Sequence, residues 1–316
     1  MTPLLKWAGG KRQLLPELRR FYPATFGRYI EAFFGSGAVF FDLHSSGRLR
    51  DRDVVLIDSN ADLIGCYETI RDAPSAVADE LERLARSHAA RGRAHYFAVR
   101  DERFNPLRES RRSADGRIAY TPELAAMLVY LNRTGFNGLF RLNARGAFNV
   151  PPGRYDRPKI LDRAKLAAVS AALATPRVRL VCDGFERALD VAVDGDFLYF
   201  DPPYAPLSAT SSFTAYTASK FDDEAQQKLR GVVVALARRG CTVLLSNSAA
   251  PVITRLYERD SAATDAGMKV WRVRARRAIN VRADRRGYID ELIVSNVAPA
   301  IATTSASHAS RIAGGG

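Results

Sequence analysis

The chain has 316 residues, 47% hydrophobic and 26% charged, enough for one large α/β domain or for a domain plus a sizeable insertion. Lys and Arg number 47 against 34 Asp and Glu, a formal net charge of +13, which suits a polyanionic partner although a solvated basic surface would look the same. Three scattered cysteines (Cys66, Cys182, Cys241) without a C-x-x-C pair argue against a disulfide scaffold or a zinc site and fit a reducing cytoplasm, and no window has the length and hydropathy of a signal core or a membrane span.

Lys6-Trp7-Ala8-Gly9-Gly10-Lys11 opens the chain with a glycine turn between cations and an indole. Read functionally, Trp7 is an apolar wall and Lys11 the partner of a ligand carboxylate; a solvated terminal segment is the alternative. Tyr29 to Phe34 is a short apolar run that ends at Gly35-Ser36-Gly37 and leads into the helical stretch Ala38 to His44, so strand, glycine turn and helix follow in order. Val54 to Asp58 is apolar until its last residue, the pattern of a parallel strand buried on both faces, and Ala61 to Arg71 reads as a helix behind Asn60.

From Pro74 to Tyr130 the pattern is helical, with an amphipathic stretch over Val77 to Arg86 and a helix over Thr121 to Leu131 that carries Pro122 in its first turn. His88 and His95 lie in an Arg-rich stretch without carboxylates at ligand spacing and read as surface histidines; no metal is expected. Between 133 and 159 Asn, Gly, Arg and Pro are interleaved with Phe136, Phe140, Phe148 and Tyr155, too polar for core and too aromatic for a passive linker. Arg133, Arg141, Arg145, Arg154, Arg157 and Lys159 stand there against the lone Asp156, and Arg141 could pair bidentately with guanine O6 and N7. Phosphate or solvent contact serves equally well for Arg145 and Arg157.

Buried-strand patterns return at Val178–Cys182, Phe197–Phe200 and Val243–Leu245, with helices over Asp222 to Arg239 and near Val252 to Glu258. Strands around Val270–Arg276 and Tyr288–Ser295 are close enough to pair antiparallel. The run Arg272, Arg274, Arg276, Arg277, Arg282, Arg285 and Arg286 suggests a backbone-contacting face or a solvated one, and 297–316 reads as a disordered tail.

In an open α/β sheet, ligands sit at the carboxyl ends of the strands. Gly35-Ser36-Gly37 lets backbone approach a ligand there, and Asp58 follows about 20 residues on, where nucleotide folds bind ribose hydroxyls. Phe40 occupies the place of the third glycine of G-x-G-x-x-G, so a pyrophosphate site is not marked. S-adenosylmethionine, which has a ribose and an amino acid but no phosphate, fits better than a dinucleotide.

Asp201-Pro202-Pro203-Tyr204 closes the strand Phe197–Phe200 with a turn locked by two prolines. A carboxylate and a backbone carbonyl, such as those of Asp201 and Pro202, can accept both protons of an aromatic amine and turn its lone pair toward a sulfonium methyl. Tyr204 can stack on the base, which must leave its duplex to arrive.

These residues resemble the Dam family of adenine-N6 DNA methyltransferases, from Leu5 to about Asn296. The likeness rests on Lys6–Lys11, Glu31 with Phe33–Gly37, Ile57-Asp58-Ser59-Asn60, and Asp201–Leu207. It implies an α/β, Rossmann-like S-adenosylmethionine-dependent methyltransferase sheet with a mostly helical target-recognition insertion. Residues 1–72 and 160–296 would form the catalytic domain, 73–159 the insertion and 297–316 the tail. Trp7, Lys11, Glu31, Phe34, Gly35, Ser36, Gly37, Asp58 and Asp201 would contact S-adenosylmethionine, with Asp201, Pro202 and Tyr204 at the target adenine. The segment from Leu131 to Tyr155 is similar to the recognition region of members that modify GATC, which implies DNA contacts from Lys6, Phe136, Asn137, Leu139, Arg141, Asn143, Pro151 and Tyr155. Phe136 stands where a tyrosine is common, and Ala32 where a proline is frequent. The expected protein is a nucleoid-associated cytoplasmic monomer acting on double-stranded DNA. Transfer to cytosine N4, RNA adenine or a protein amide nitrogen, or a catalytically silent DNA-binding relative, are the alternatives.

Overall fold

The computed structural model describes residues 1–7, 9–207, 221–276 and 288–300, with backbone alone at 275–276 and 288–289. Its seven strands are β1 (Tyr29–Glu31), β2 (Val54–Asp58), β3 (Val178–Cys182), β4 (Phe197–Phe200), β5 (Thr242–Ser248), β6 (Lys269–Arg276) and β7 (Tyr288–Ser295). They form one sheet in the order β3-β2-β1-β4-β5-β7-β6. The four pairings from β3 to β5 run parallel, whereas β7 lies antiparallel to both β5 and β6. This is the mainly parallel α/β sheet expected, including the late antiparallel pair.

Alternation along each strand divides two cores. Tyr29, Val54, Leu56, Phe197, Tyr199, Leu244 and Ile293 belong to one face, and Ile30, Val55, Ile57, Leu198, Phe200, Leu245 and Val294 to the other. Helices cover both faces: α1 (Leu15–Leu18), α2 (Ala38–Ser45), α3 (Ala61–Asp72), α4 (Pro74–Phe97), α5 (Asn105–Ser110), α6 (Pro122–Thr134), α7 (Arg163–Leu173), α8 (Arg187–Val191), α9 (Asp223–Arg238), α10 (Pro251–Glu258) and α11 (Ser261–Asp265). α3 starts where Asn60 accepts from the Asp62 and Leu63 amides, and α9 starts where Asp222 accepts from Ala225. No helix among the described residues is long and apolar enough to cross a membrane.

Several elements differ from the reading above. The first strand stops at Glu31, because the chain then turns through Gly35 and Gly37, both at positive φ (49° and 72°). The long helical stretch breaks at Gly92 (φ 52°, ψ −126°), continues through a π turn over Ala98–Phe104 and resumes as α5. His95 is a correction: it is 5% exposed and packs edge-on to Tyr130, whose hydroxyl lies 2.8 Å from the half-buried His88. Of the proposed tail, 297–300 are described, and the Ala300 amide donates to the Arg20 carbonyl. Residues 301–316 and the positions of Arg277, Arg282, Arg285 and Arg286 lie outside the described residues.

The chain begins its sheet at β1, steps outward to β2 and β3, then returns to place β4 on the other side of β1. Connections leave β1 and β4 in opposite directions, so a crevice opens beyond their carboxyl ends. Glu31 ends β1 and Asp201 follows β4, both at that point.

Candidate active site and cofactor cleft

A cleft of about 1480 Å³ occupies the crevice. Pockets for single small ligands span about 300–1,000 Å³, so this one has room for a nucleoside-sized cofactor and a second planar group. Trp7, Lys11, Glu31, Phe34, Gly35, Ser36, Asp58, Asp201, Pro202 and Tyr204 all line it.

On the β2 side, Asp58 receives the Gly35 amide at 2.8 Å on one carboxylate oxygen and the Asn60 amide at 2.9 Å on the other. Burial pushes its carboxyl above the usual range, and the two amides pull the opposite way. Glu31 is buried under the same turn, accepting from the Tyr29 hydroxyl at 2.8 Å and the Phe40 amide at 3.0 Å. Burial outweighs both bonds and raises its carboxyl to about 8. Phe34 turns its ring into the core against Phe40, Phe41 and Tyr67, so the Phe40-Phe41 pair of α2 anchors the glycine turn from below. Trp7 stacks on Phe140 at 5.8 Å and closes the top.

Gly37 is not among the residues lining the cleft; it caps α2 in a left-handed conformation, where an added β-carbon would meet the rings of Phe34 and Phe41. A side chain there would collide with those rings, so the glycine is needed for packing.

On the β4 side, Asp201 meets the Lys11 ammonium at 2.7 Å and accepts from Ser246 at 3.2 Å. Lys11 therefore faces a carboxylate of its own chain, and its ammonium also lies 4.3 Å from the centre of the Tyr204 ring. Burial pushes the Asp201 carboxyl up to about 6, with Lys11 and Ser246 holding it lower than burial alone would. The proline turn is fastened from β5 and α9: Gln226 donates to the Pro203 carbonyl at 3.0 Å and accepts from Asn247 at 3.1 Å, while Ser248 donates to the Ala205 carbonyl at 2.6 Å. Tyr204 donates to Glu291 on β7 at 2.9 Å.

The sequence reading missed these supports. Ser246-Asn247-Ser248 carried a signal, three buried polar residues closing an apolar strand. It also missed the aromatic group of Phe33, Phe185 and Phe221, whose rings lie 5.4–5.8 Å apart in the cleft wall. Only tertiary structure joins those three.

Arg141 reaches the cleft rim, with its Nε donating to Asn149 at 2.8 Å. The other expected DNA contacts gather away from the cleft. Lys6 places its ammonium 4.5 Å from the Tyr155 ring centre, and Phe136 and Tyr155 are 43% and 38% exposed. Asn137 stands exposed at φ 53° in the short turn Phe136–Gly138, and Phe136 donates its amide to exposed Pro151. Buried Asn132 stitches this group together by exchanging bonds with the Lys6 backbone and donating to the Gly138 carbonyl. Leu139 is half-buried, and Asn143 uses its side chain to accept the Arg145 and Ala147 amides of its own turn. Arg133 points inward to the Leu4 carbonyl, so it is a structural residue.

The hairpin around the Leu142–Phe148 bridge hangs from the helical layer by side chains. Arg108 donates to the Gly146 carbonyl, Asn105 to that of Phe148, and Tyr96 and Arg100 to that of Val150. Arg108 also holds Asp62 in a buried bidentate pair at 2.6 and 2.8 Å, to which Tyr120 adds a third bond.

Two acidic strand ends, a glycine turn and a proline-locked aspartate thus share one cleft. The D12 class N6 adenine-specific DNA methyltransferase family matches residues 7–279. The chain belongs to this family. Among similar proteins, the type II methyltransferase M1.LlaDCHI of Lactococcus lactis subsp. cremoris is 38% identical over 94% of this chain and 95% of its own length. Type II methyltransferase M.MjaIII of Methanocaldococcus jannaschii is 37% identical over 94% and 99%. The DNA adenine methylase of Escherichia coli is 34% identical over 92% and 93%. This D12-class enzyme thus spans nearly the whole length of each.

Proposed function

We propose that the protein transfers a methyl group from S-adenosylmethionine to the exocyclic N6 of adenine in double-stranded DNA, within GATC. The observation that carries this reading is the position of the Asp201 carboxylate at the sheet's switch point, in one cleft with Glu31 and Asp58. The donor set suits the cofactor. In this reading Asp58 takes the ribose hydroxyls, the buried Glu31 the methionyl ammonium, and the walls of Trp7 and of Phe33 with Phe185 the flat or apolar parts; all of them line the one cleft. Bound there, S-adenosylmethionine supplies an electrophilic sulfonium methyl.

The chain's own residues do the rest. Asp201 accepts one amino proton of the adenine in a hydrogen bond and the Pro202 carbonyl the other, which turns the nitrogen lone pair out of conjugation. Two prolines and the Gln226 bond keep these acceptors from relaxing. Tyr204 stacks on the flipped-out base and offsets part of the few kcal/mol that unpairing costs. Residues 1–72 and 160–296 act as the catalytic unit and 73–159 as the target-recognition insertion, where Lys6, Phe136, Asn137, Leu139, Arg141, Pro151 and Tyr155 meet the duplex. Arg141 reads guanine, and Asn143 acts by shaping its turn.

Labelled methyl transfer to short duplexes, with GATC intact, scrambled or already N6-methylated, tests the reading. Label on the intact site alone is expected. Label on every duplex would discard the GATC assignment, and label on cytosine or on RNA alone would discard adenine in DNA as the target. Cofactor binding without transfer to any nucleic acid would indicate a silent DNA-binding relative.

A further inference from the structure

β7 runs antiparallel beside β5 with Glu291 opposite Ser248 and Ile293 opposite Ser246. Directly paired residues in an antiparallel ladder point to the same face, so Glu291 rises on the side where Ser246 meets Asp201 and Ser248 meets the Ala205 carbonyl. There its carboxylate accepts the Tyr204 hydroxyl at 2.9 Å. Tyr204 is thus held at both ends, by the proline turn at its backbone and by β7 at its phenol. Each neighbouring bond fixes something else: Ser246 bridges Asp201 and Tyr199, and Gln226 fixes the Pro203 carbonyl.

Resting on the proposed function, we propose that Glu291 is a positioning residue for methyl transfer, fixing through the Tyr204 hydroxyl the ring on which the target base stacks. A ring free to turn about its own bonds would give the base a moving platform. Displacements of about an ångström between reacting atoms are enough to cost rates of the order of a hundredfold. Glu291 also sets charge at the reaction centre. Asp201 meets the Lys11 ammonium and Ser246, with the Tyr199 and Tyr204 phenols and the Glu31 and Glu291 carboxylates as the other titratable groups around it. Removing the Glu291 charge therefore makes Asp201 easier to ionise.

The test compares wild type, Glu291→Ala, Glu291→Gln, Tyr204→Phe and the Glu291→Ala/Tyr204→Phe double variant, each checked for a native melting transition. Readouts are single-turnover methyl transfer, KM for S-adenosylmethionine, and fluorescence of duplexes with 2-aminopurine at the target adenine. Glu291→Ala should slow transfer roughly 10-fold with KM for the cofactor unchanged, and weaken the fluorescence gain of the flipped base. Glu291→Gln keeps an acceptor oxygen, so it should recover most of the rate while its acid limb moves to lower pH than the wild-type limb near about 6. The double variant should be no slower than Tyr204→Phe. Wild-type rate in Glu291→Ala, an unmoved acid limb in Glu291→Gln, or additive losses in the double variant would each overturn the assignment while leaving the proposed function standing. A wild-type protein that transfers methyl to no adenine would overturn both.

Discussion

The Lys11 ammonium lies 2.7 Å from the Asp201 carboxylate and, at the same time, over the face of the Tyr204 ring. One cation therefore touches two of the residues assigned to the target base. Asp201 is the stronger acceptor for an amino proton when ionised, and burial places its carboxyl at about 6. Transfer should be full above that value and fall about tenfold per pH unit below it. The Lys11 charge favours the ionised form, so Lys11→Met should move this limb to higher pH. A rate profile of both proteins across the acid range checks the direction; a limb that stays put removes Lys11 from the electrostatics of Asp201.

Glu31 leads to a proton count. Its buried carboxyl, raised to about 8, is protonated in most molecules at neutral pH. A ligand ammonium placed beside it favours the ionised form, so cofactor binding should release a proton near pH 7. Calorimetry in buffers of different ionisation enthalpy would show this as a buffer-dependent heat, abolished in Glu31→Gln. Heats independent of buffer in the wild type would remove Glu31 from the ammonium site.

Arg108→Ala should destabilise the fold by about 3–5 kcal/mol, because it leaves Asp62 buried without its counter-charge. Denaturant unfolding measures the loss. Replacing both members with apolar residues of similar volume should recover much of it, as the uncompensated charge is then gone.

Gly37→Ala separates packing from ligand contact. A non-glycine residue at φ 72° costs about 1–3 kcal/mol, before any clash with the Phe34 ring. The melting temperature should fall, while cofactor affinity of the folded fraction stays near that of the wild type. A large affinity loss in folded protein would return Gly37 to the binding site.

Arg141→Ala should relax sequence choice by roughly 1–3 kcal/mol at one base while general duplex affinity drops little. Competition between GATC and single-substitution duplexes reads the discrimination. Unaltered preference would take Arg141 out of base reading, leaving its bond to Asn149 as its role.

What could be read from the residue order was chemistry whose residue types leave no substitute: a carboxylate at a strand end, two prolines after it, glycines where backbone must turn at positive φ. Those positions converge in the cleft. The exceptions were cases where one residue type serves two purposes. Gly37 has the composition of a ligand loop yet is required by the Phe34 ring, and His95 sits among arginines in sequence but under Tyr130 in space. Glu291 was invisible because its place beside Tyr204 depends on the register of β7 against β5. α7 carried legible signs, with Asp162 capping the Lys165 amide and Leu166, Val169, Ser170 and Leu173 spaced along one buried face.

The hairpin around Leu142–Phe148 is suspended by Tyr96, Arg100, Asn105 and Arg108, and each of these also grips a carbonyl that every amino acid possesses. The suspension is therefore indifferent to which side chains the hairpin displays. Exposed positions such as Ala144 and Arg145 can be exchanged without loosening the helices that hold them or the cleft lined by Asp58 and Asp201. Such a scaffold can change the surface it displays in small steps, each inherited by a protein that still folds.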